Sequence, residues 1–155
     1  MKALLSVAPG GPETLRYEEC PDPVAGEGEL LVAVRACSIN YPDVIIIEDK
    51  YQFKPPRPFS PGCEIAGIVE AVGAGVEGWR VGDRLIATGT HGGLAEKAAV
   101  RASAAFRLPE GRDFTEGAAL LFTYATTIHA LLDRGQLKAG ETLLVLGAAG
   151  GVGLA

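Results

Sequence analysis

Cysteine is scarce in this sequence, and what there is does not pair. The three residues Cys20, Cys37 and Cys63 are odd in number and far apart, so they make neither a disulfide framework nor a Cys-x-x-Cys metal clip. They are expected to be buried reduced thiols. No apolar run approaches the roughly 18 residues of a membrane span, and too few apolar residues separate Lys2 from Pro9 for a signal segment. The expectation is a soluble cytoplasmic protein with no membrane partner. Clustered basic charge is missing as well. The 14 Lys and Arg are scattered among 19 Asp and Glu, for a net charge of −5, which argues against a nucleic-acid partner. There is no internal repeat.

Glycine and proline, by contrast, are plentiful. The 155 residues hold 21 Gly and 10 Pro, yet 48% of the chain is hydrophobic, enough for a packed core built of short strands and turns. The length fits one domain, or one domain and part of a second. Segments 2–7, 14–19, 29–37, 64–73, 83–88 and 93–101 alternate or run apolar between glycine and proline bends, and together they resemble a small barrel. "NYPDVIIIEDKY" interrupts them. Asn40 can cap a helix, Pro42 can occupy its first turn and Asp43 suits the positive end of the dipole, although Ile45, Ile46 and Ile47 would also make a strand. After "LPEGRD", Phe114 to Leu132 reads as a helix with Ala125, Ile128 and Leu132 on one face and Gly135 as its stop. Leu143 to Leu146 then reads as a buried parallel-type strand. The chain thus divides near residue 115.

That last strand runs into Ala148-Ala149-Gly150-Gly151-Val152-Gly153, the strand-to-loop junction that lets a helix N-terminus face a phosphate. Alanine stands where the dinucleotide fingerprint usually has its first glycine. A glycine-rich turn packed on a neighbouring helix is the alternative reading.

"KAGETLLVLGAAGGVGLA" resembles the cofactor-domain entry of the medium-chain dehydrogenase/reductases, in their zinc-free quinone oxidoreductase branch. "RACSINYPDVIIIEDKY", "SPGCEIAGIVEAVGAGVEGWRVGDRL", "GGLAEKAAV" and "FTYATTIHALL" resemble further landmarks of that family, in its order. The fold class so implied is mainly β. A GroES-like β-barrel catalytic domain over 1–115 is followed over 116–155 by a connecting helix and the first strand and glycine loop of an incomplete Rossmann-type α/β domain. The activity implied is hydride transfer from NADPH to a quinone or an α,β-unsaturated carbonyl compound, by a homodimer when full length. NADPH comes from the resemblance alone, and NADH stays open, because the residue that senses the ribose 2′ position lies about 20 residues past the glycine loop.

The zinc alcohol dehydrogenases share this fold. In them a cysteine comes where this chain has Asn40, a histidine where it has Cys63, and a further cysteine near Thr123. Asn and Thr are poor zinc ligands, so no zinc is expected. His91 and His129 could in principle join Cys63. His129 reads better as a partly buried helical residue, and His91-Gly92-Gly93 has no Gly-x-Ser-x-Gly elbow to go with it.

Without a metal, the protein must hold the nicotinamide and supply hydrogen bonds where negative charge develops. The resemblance places Asn40 and Asp43 at the former metal niche, Tyr51 in the substrate cleft, Thr126 beside the nicotinamide carboxamide, and Ala149, Gly150, Gly151, Val152 and Gly153 at the pyrophosphate. Asn40 is implied on both the catalytic and the cofactor side. Each has another reading. Asn40 also fits a helix cap, Asp43 a helix start or an internal salt bridge, and Tyr51 a loop aromatic resting on the barrel. Thr126 lies in a "TYATT" run whose β-branched hydroxyls are costly in a helix. Tyr41 adjoins the niche, and Glu64 reads as structural. A non-enzymatic barrel module is the competing function. Ala155 is expected to be a fragment boundary, since one strand has no parallel neighbours of its own.

Overall fold

Seven strands form before residue 110, and every pairing between them is antiparallel. They are β1 (Lys2–Ser6), β2 (Leu15–Glu19), β3 (Glu29–Ser38), β4 (Glu64–Val72), β5 (Arg84–Thr88), β6 (Lys97–Arg101) and β7 (Ala105–Arg107), in a computed structural model that describes residues 1–155. β1 pairs with β2, and the other five form one sheet in the order β6-β3-β4-β5-β7. Backbone bonds from Leu4 N to Leu94 O (2.9 Å) and from Glu96 N to Lys2 O (3.1 Å) tie the pair to the chain just before β6. Two register shifts along β3 and β4, at Leu31/Val32 and Val34/Ala36, add twist and curl the sheet.

One face of the sheet carries the main core: Leu30, Val32, Ile65, Val69, Leu85, Ala87 and Ala98. Burying each of its larger side chains contributes roughly 1.5–3 kcal/mol. The other face is covered at one end by α2 (Phe114–Ala118), which packs Ala118 against Ala66, Ile86 and Leu108. Asp113 caps α2, its side chain accepting from Thr115 N at 2.7 Å. Gly117 makes the contact possible, since a Cβ there would lie 2.7 Å from Ile86 Cγ2. The start of β4 is therefore buried on both faces. No helix is long and apolar enough to cross a membrane.

The ambiguous isoleucine run is a helix, α1 (Tyr41–Ile47). Asp43, Ile46 and Ile47 are its buried residues, at the i, i+3, i+4 spacing of one helical face, and Ile46 and Ile47 pack on Phe59.

Several expectations need correction. The helix expected from Phe114 to Leu132 is broken: α2 gives way to a π-helical turn at Leu121–Ala125, an α-turn at Thr126–Ile128 and a second π-helical stretch at His129–Arg134. Thr123 and Thr126 donate their hydroxyls to the carbonyls four residues back, Ala119 O at 3.1 Å and Phe122 O at 2.5 Å, a competition that distorts a helix. The face expected to be buried is open, with Ile128 at 55% and Leu132 at 59% exposure. Gly135 ends the segment with an ordinary φ of −77°; the left-handed residue is Gln136, at φ +49°. His129 is exposed and pairs with Asp133 at 2.8 Å. Leu143 to Leu146 form no ladder, and Leu144 is 79% and Leu146 84% exposed, because a strand is defined by a neighbour and none is present. Of the thiols all are free, but Cys63 alone is buried, Cys20 and Cys37 being partly exposed.

Candidate functional site

Ser38 closes β3, Glu64 opens β4, and the two are directly opposed in the ladder. Ser38 Oγ donates to Glu64 Oε2 at 2.8 Å. The chain leaves β3 and two residues later presents Asn40, the N-cap of α1. Asn40 Nδ2 donates to Ser38 Oγ at 2.8 Å and reaches Glu64 Oε2 at 3.4 Å and Cys63 Sγ at 3.7 Å. The second oxygen of Glu64 faces elsewhere: Oε1 accepts the backbone N–H of Phe122 at 3.0 Å. Glu64 has no exposed surface. A buried carboxylate costs several kcal/mol unless hydrogen-bonded, and here hydroxyl, amide and backbone donors all converge on it without a cation.

Asp43 is the second buried carboxylate, at 4% exposure. Its Oδ2 accepts Asn40 N at 2.8 Å and Cys63 Sγ at 3.6 Å, and its Oδ1 accepts Gly62 N at 3.0 Å. The reading of Asp43 as a salt-bridge partner is corrected by this set, since every donor to it is neutral. Gly62 holds φ +97°, and a Cβ on it would lie 2.7 Å from Cys37 Sγ and 2.8 Å from Leu94 N. Only glycine lets the chain pass there with its N–H toward Asp43. Burial, and then the Asp43 carboxylate, push the Cys63 thiol up to about 12. Burial and Asp43 do the same to Cys37, also to about 12. Both are therefore thiols rather than thiolates at neutral pH.

The other candidates lie apart from this network. Tyr51 is partly buried and rests against the Ile46, Ile47 and Phe59 cluster at the far end of α1, and no hydrogen bond joins it to Asn40 or Asp43. Tyr41 is 75% exposed. Thr126 is exposed, with its hydroxyl hydrogen on Phe122 O. The glycine loop ends in a single helical turn, Gly151–Leu154, capped by Gly150, and it packs on the threonine segment. Thr127 Oγ1 donates to Val152 O at 3.0 Å, and a Cβ on Gly151 would lie 2.9 Å from Thr123 Cγ2. The groove beside it is about 720 Å³, lined by Leu131, Leu143, Val145 and Val152 among others. Behind Cys63 a cavity of about 460 Å³ is lined by Phe53, Thr88 and His91. The His91 ring meets Phe59 edge-on at 5.6 Å. Asn40, Asp43 and Tyr51 do not line this cavity.

Sequence reasoning missed the linking role of Glu64 and the part played by Ser38. One signal was available: Glu64 heads "EIAGIV", a carboxylate at the start of an otherwise apolar strand.

The profile of the alcohol dehydrogenase GroES-like domain matches residues 26–110. A quinone oxidoreductase of Lama guanicoe is 41% identical over 157 aligned residues, covering all of this chain and 48% of that protein. The quinone oxidoreductase of Thermus thermophilus, solved also in complex with NADPH, superposes with a TM-score of 0.84 at 36% identity, over 99% of this chain and 48% of that one. The human synaptic vesicle membrane protein VAT-1 homolog-like protein superposes at 0.95 with 33% identity, over 99% and 50% of the two chains. The chain spans about half the length of the curated relatives it matches.

Proposed function

Because the chain belongs to the alcohol dehydrogenase GroES-like family, within the medium-chain dehydrogenase/reductases, we propose that it is the substrate-side part of an NADPH-dependent, zinc-independent reductase of quinones or α,β-unsaturated carbonyl compounds. In this reading residues 1–115 form the catalytic domain and 116–155 enter the cofactor domain.

The observation that carries the reading is the chemistry of the niche at Asn40, Cys63 and Thr123. Asn40 commits its amide hydrogens to Ser38 and Glu64, and of the three residues only Cys63 is of a type that zinc takes. Thr123 spends its hydroxyl hydrogen on Ala119 O. This donor set does not fit zinc. It does fit a cofactor held by backbone groups: the first N–H groups of a helix have no intrahelical acceptor, so Gly151, Val152 and Gly153 offer theirs to a pyrophosphate. Gly153 must lack a side chain, because a Cβ would run into Gly147 O.

NADPH supplies a hydride when bound. The chain's own residues hold and orient. Thr126, three residues after Thr123 and next to Thr127, the two threonines that touch the loop, keeps lone pairs free for a carboxamide N–H. Asn40 offers its carbonyl Oδ1, since its hydrogens are taken. The Tyr51 hydroxyl, without a partner in the chain, is the donor available for the oxygen that gains charge on the acceptor. Asp43 holds Asn40 in place through its backbone. The test is a substrate panel. A polypeptide of the relatives' length carrying this chain should consume NADPH with para-benzoquinone or with an enone. No consumption with either class would overturn the reading.

A further inference from the structure

Glu64 is the one buried group that touches both walls of the candidate site. Its Oε2 lies under Asn40 and its Oε1 under the Phe122 amide, 58 residues further along the chain. Phe122 in turn takes the hydroxyl hydrogen of Thr126 on its carbonyl. The same peptide-length segment therefore links Glu64 to Thr126 through two hydrogen bonds.

The Oε2 arm also settles which way the Asn40 amide faces. Ser38 Oγ has one hydrogen, and it goes to Glu64 Oε2 at 2.8 Å. Toward Asn40 the hydroxyl can then only accept, and the neighbouring Glu64 oxygen accepts as well, so the amide must turn its NH2 to both. The carbonyl Oδ1 is left facing the first turn of α1, where it takes the Asp43 backbone N–H as half of a capping box and keeps its second lone pair.

We propose that Glu64 is a two-armed positioning residue: through Ser38 it fixes the Asn40 amide with its carbonyl at the first turn of α1, and through Phe122 it sets the turn that carries Thr126. The niche then presents an acceptor rather than a donor, and it selects for a hydroxyl or an amide hydrogen on whatever lies against Asn40. This rests on the reductase reading for what lies there, but the bond pattern itself belongs to the chain alone.

The test is NMR of the isotope-labelled 155-residue chain, followed at the Asn40 side-chain NH2 and the Phe122 backbone N–H. Glu64→Gln keeps one carbonyl oxygen for Phe122 but turns an NH2 toward Ser38 and Asn40. Ser38→Ala removes the relay and leaves Glu64 intact. Either variant should speed water exchange of the Asn40 NH2 at least tenfold while the Phe122 amide stays as protected as in the wild type. Glu64→Ala should release both. The amides of Val32 and Leu85, in the sheet core, report whether the fold persists. If Glu64→Gln loses those signals, Ser38→Ala decides by itself. Unchanged Asn40 exchange in a folded Ser38→Ala chain would overturn the proposal, and so would loss of Phe122 protection in that variant. Failure of the NADPH assay would strike the reductase reading while leaving these signals as they are.

Discussion

Gly62 N–H donates to Asp43 Oδ1 at 3.0 Å, across a contact in which both residues are buried. The bond pins the turn before β4 to the first turn of α1, and the other oxygen of Asp43 holds the Asn40 amide backbone at 2.8 Å. A hydrogen bond to a charged group contributes about 1.5–3 kcal/mol. Asp43→Ala is therefore expected to lower stability by about 3–5 kcal/mol in urea unfolding. A change under about 1 kcal/mol would mean that Asp43 holds neither segment.

The thiols should divide by accessibility. Cys37 and Cys63 are raised from 9.0 to about 12, first by burial and then by Asp43, so at pH 8 only Cys20 should react quickly with a disulfide reagent. The same shifts set an alkaline limit. An unfolded chain ionises these thiols near pH 9 and the folded chain does not, so the unfolded state binds fewer protons and stability falls as pH rises from 9 toward 12. Three equally fast thiols at pH 8, or a flat stability curve above pH 9, would contradict the assignment.

Much of this site was legible in the sequence. Asn40, Pro42 and Asp43 mark a helix start by residue type and order, and the helix forms there because a cap, a fixed φ and an N3 carboxylate agree. The strands follow from alternation between glycine and proline bends. What escaped notice depends on partners distant in sequence. The hold of Glu64 on Phe122 spans 58 residues, and no local pattern encodes it. The apolar run 143–146 has the composition of a strand but lacks the neighbours that would make it one. In "TYATT" the sequence shows a costly run of hydroxyls but not that Thr123 and Thr126 bond back onto their own helix.

Thr126→Val removes a hydroxyl at nearly constant volume. In a polypeptide of the relatives' length it should cut kcat about ten- to a hundredfold, if one positioning bond in a dry site is worth roughly 1.5–3 kcal/mol, with little change in melting temperature. Unchanged kinetics would make Thr126 structural. Gly151→Val should be worse, since even a Cβ there comes within 2.9 Å of Thr123 Cγ2, and branching would also block a pyrophosphate. Normal cofactor binding by that variant would remove the glycine loop from the site.

The 155-residue chain by itself should bind NADPH no tighter than about millimolar, because a loop without a supporting sheet must be ordered at the moment of binding. Leu144 and Leu146, just before the loop, are exposed and pair with no strand. Fluorescence titration with NADPH checks it. Micromolar binding would show that the loop needs no further sheet.

In the proposed reductase the niche of Asn40, Cys63 and Thr123 serves reduction without a metal. Quinone-dependent NADPH consumption by a polypeptide of the relatives' length carrying this chain, compared before and after exhaustive chelation, tests this most directly. The same rate is expected in both samples, with well under one zinc per chain. Activity lost with the metal and restored by adding zinc back would contradict it.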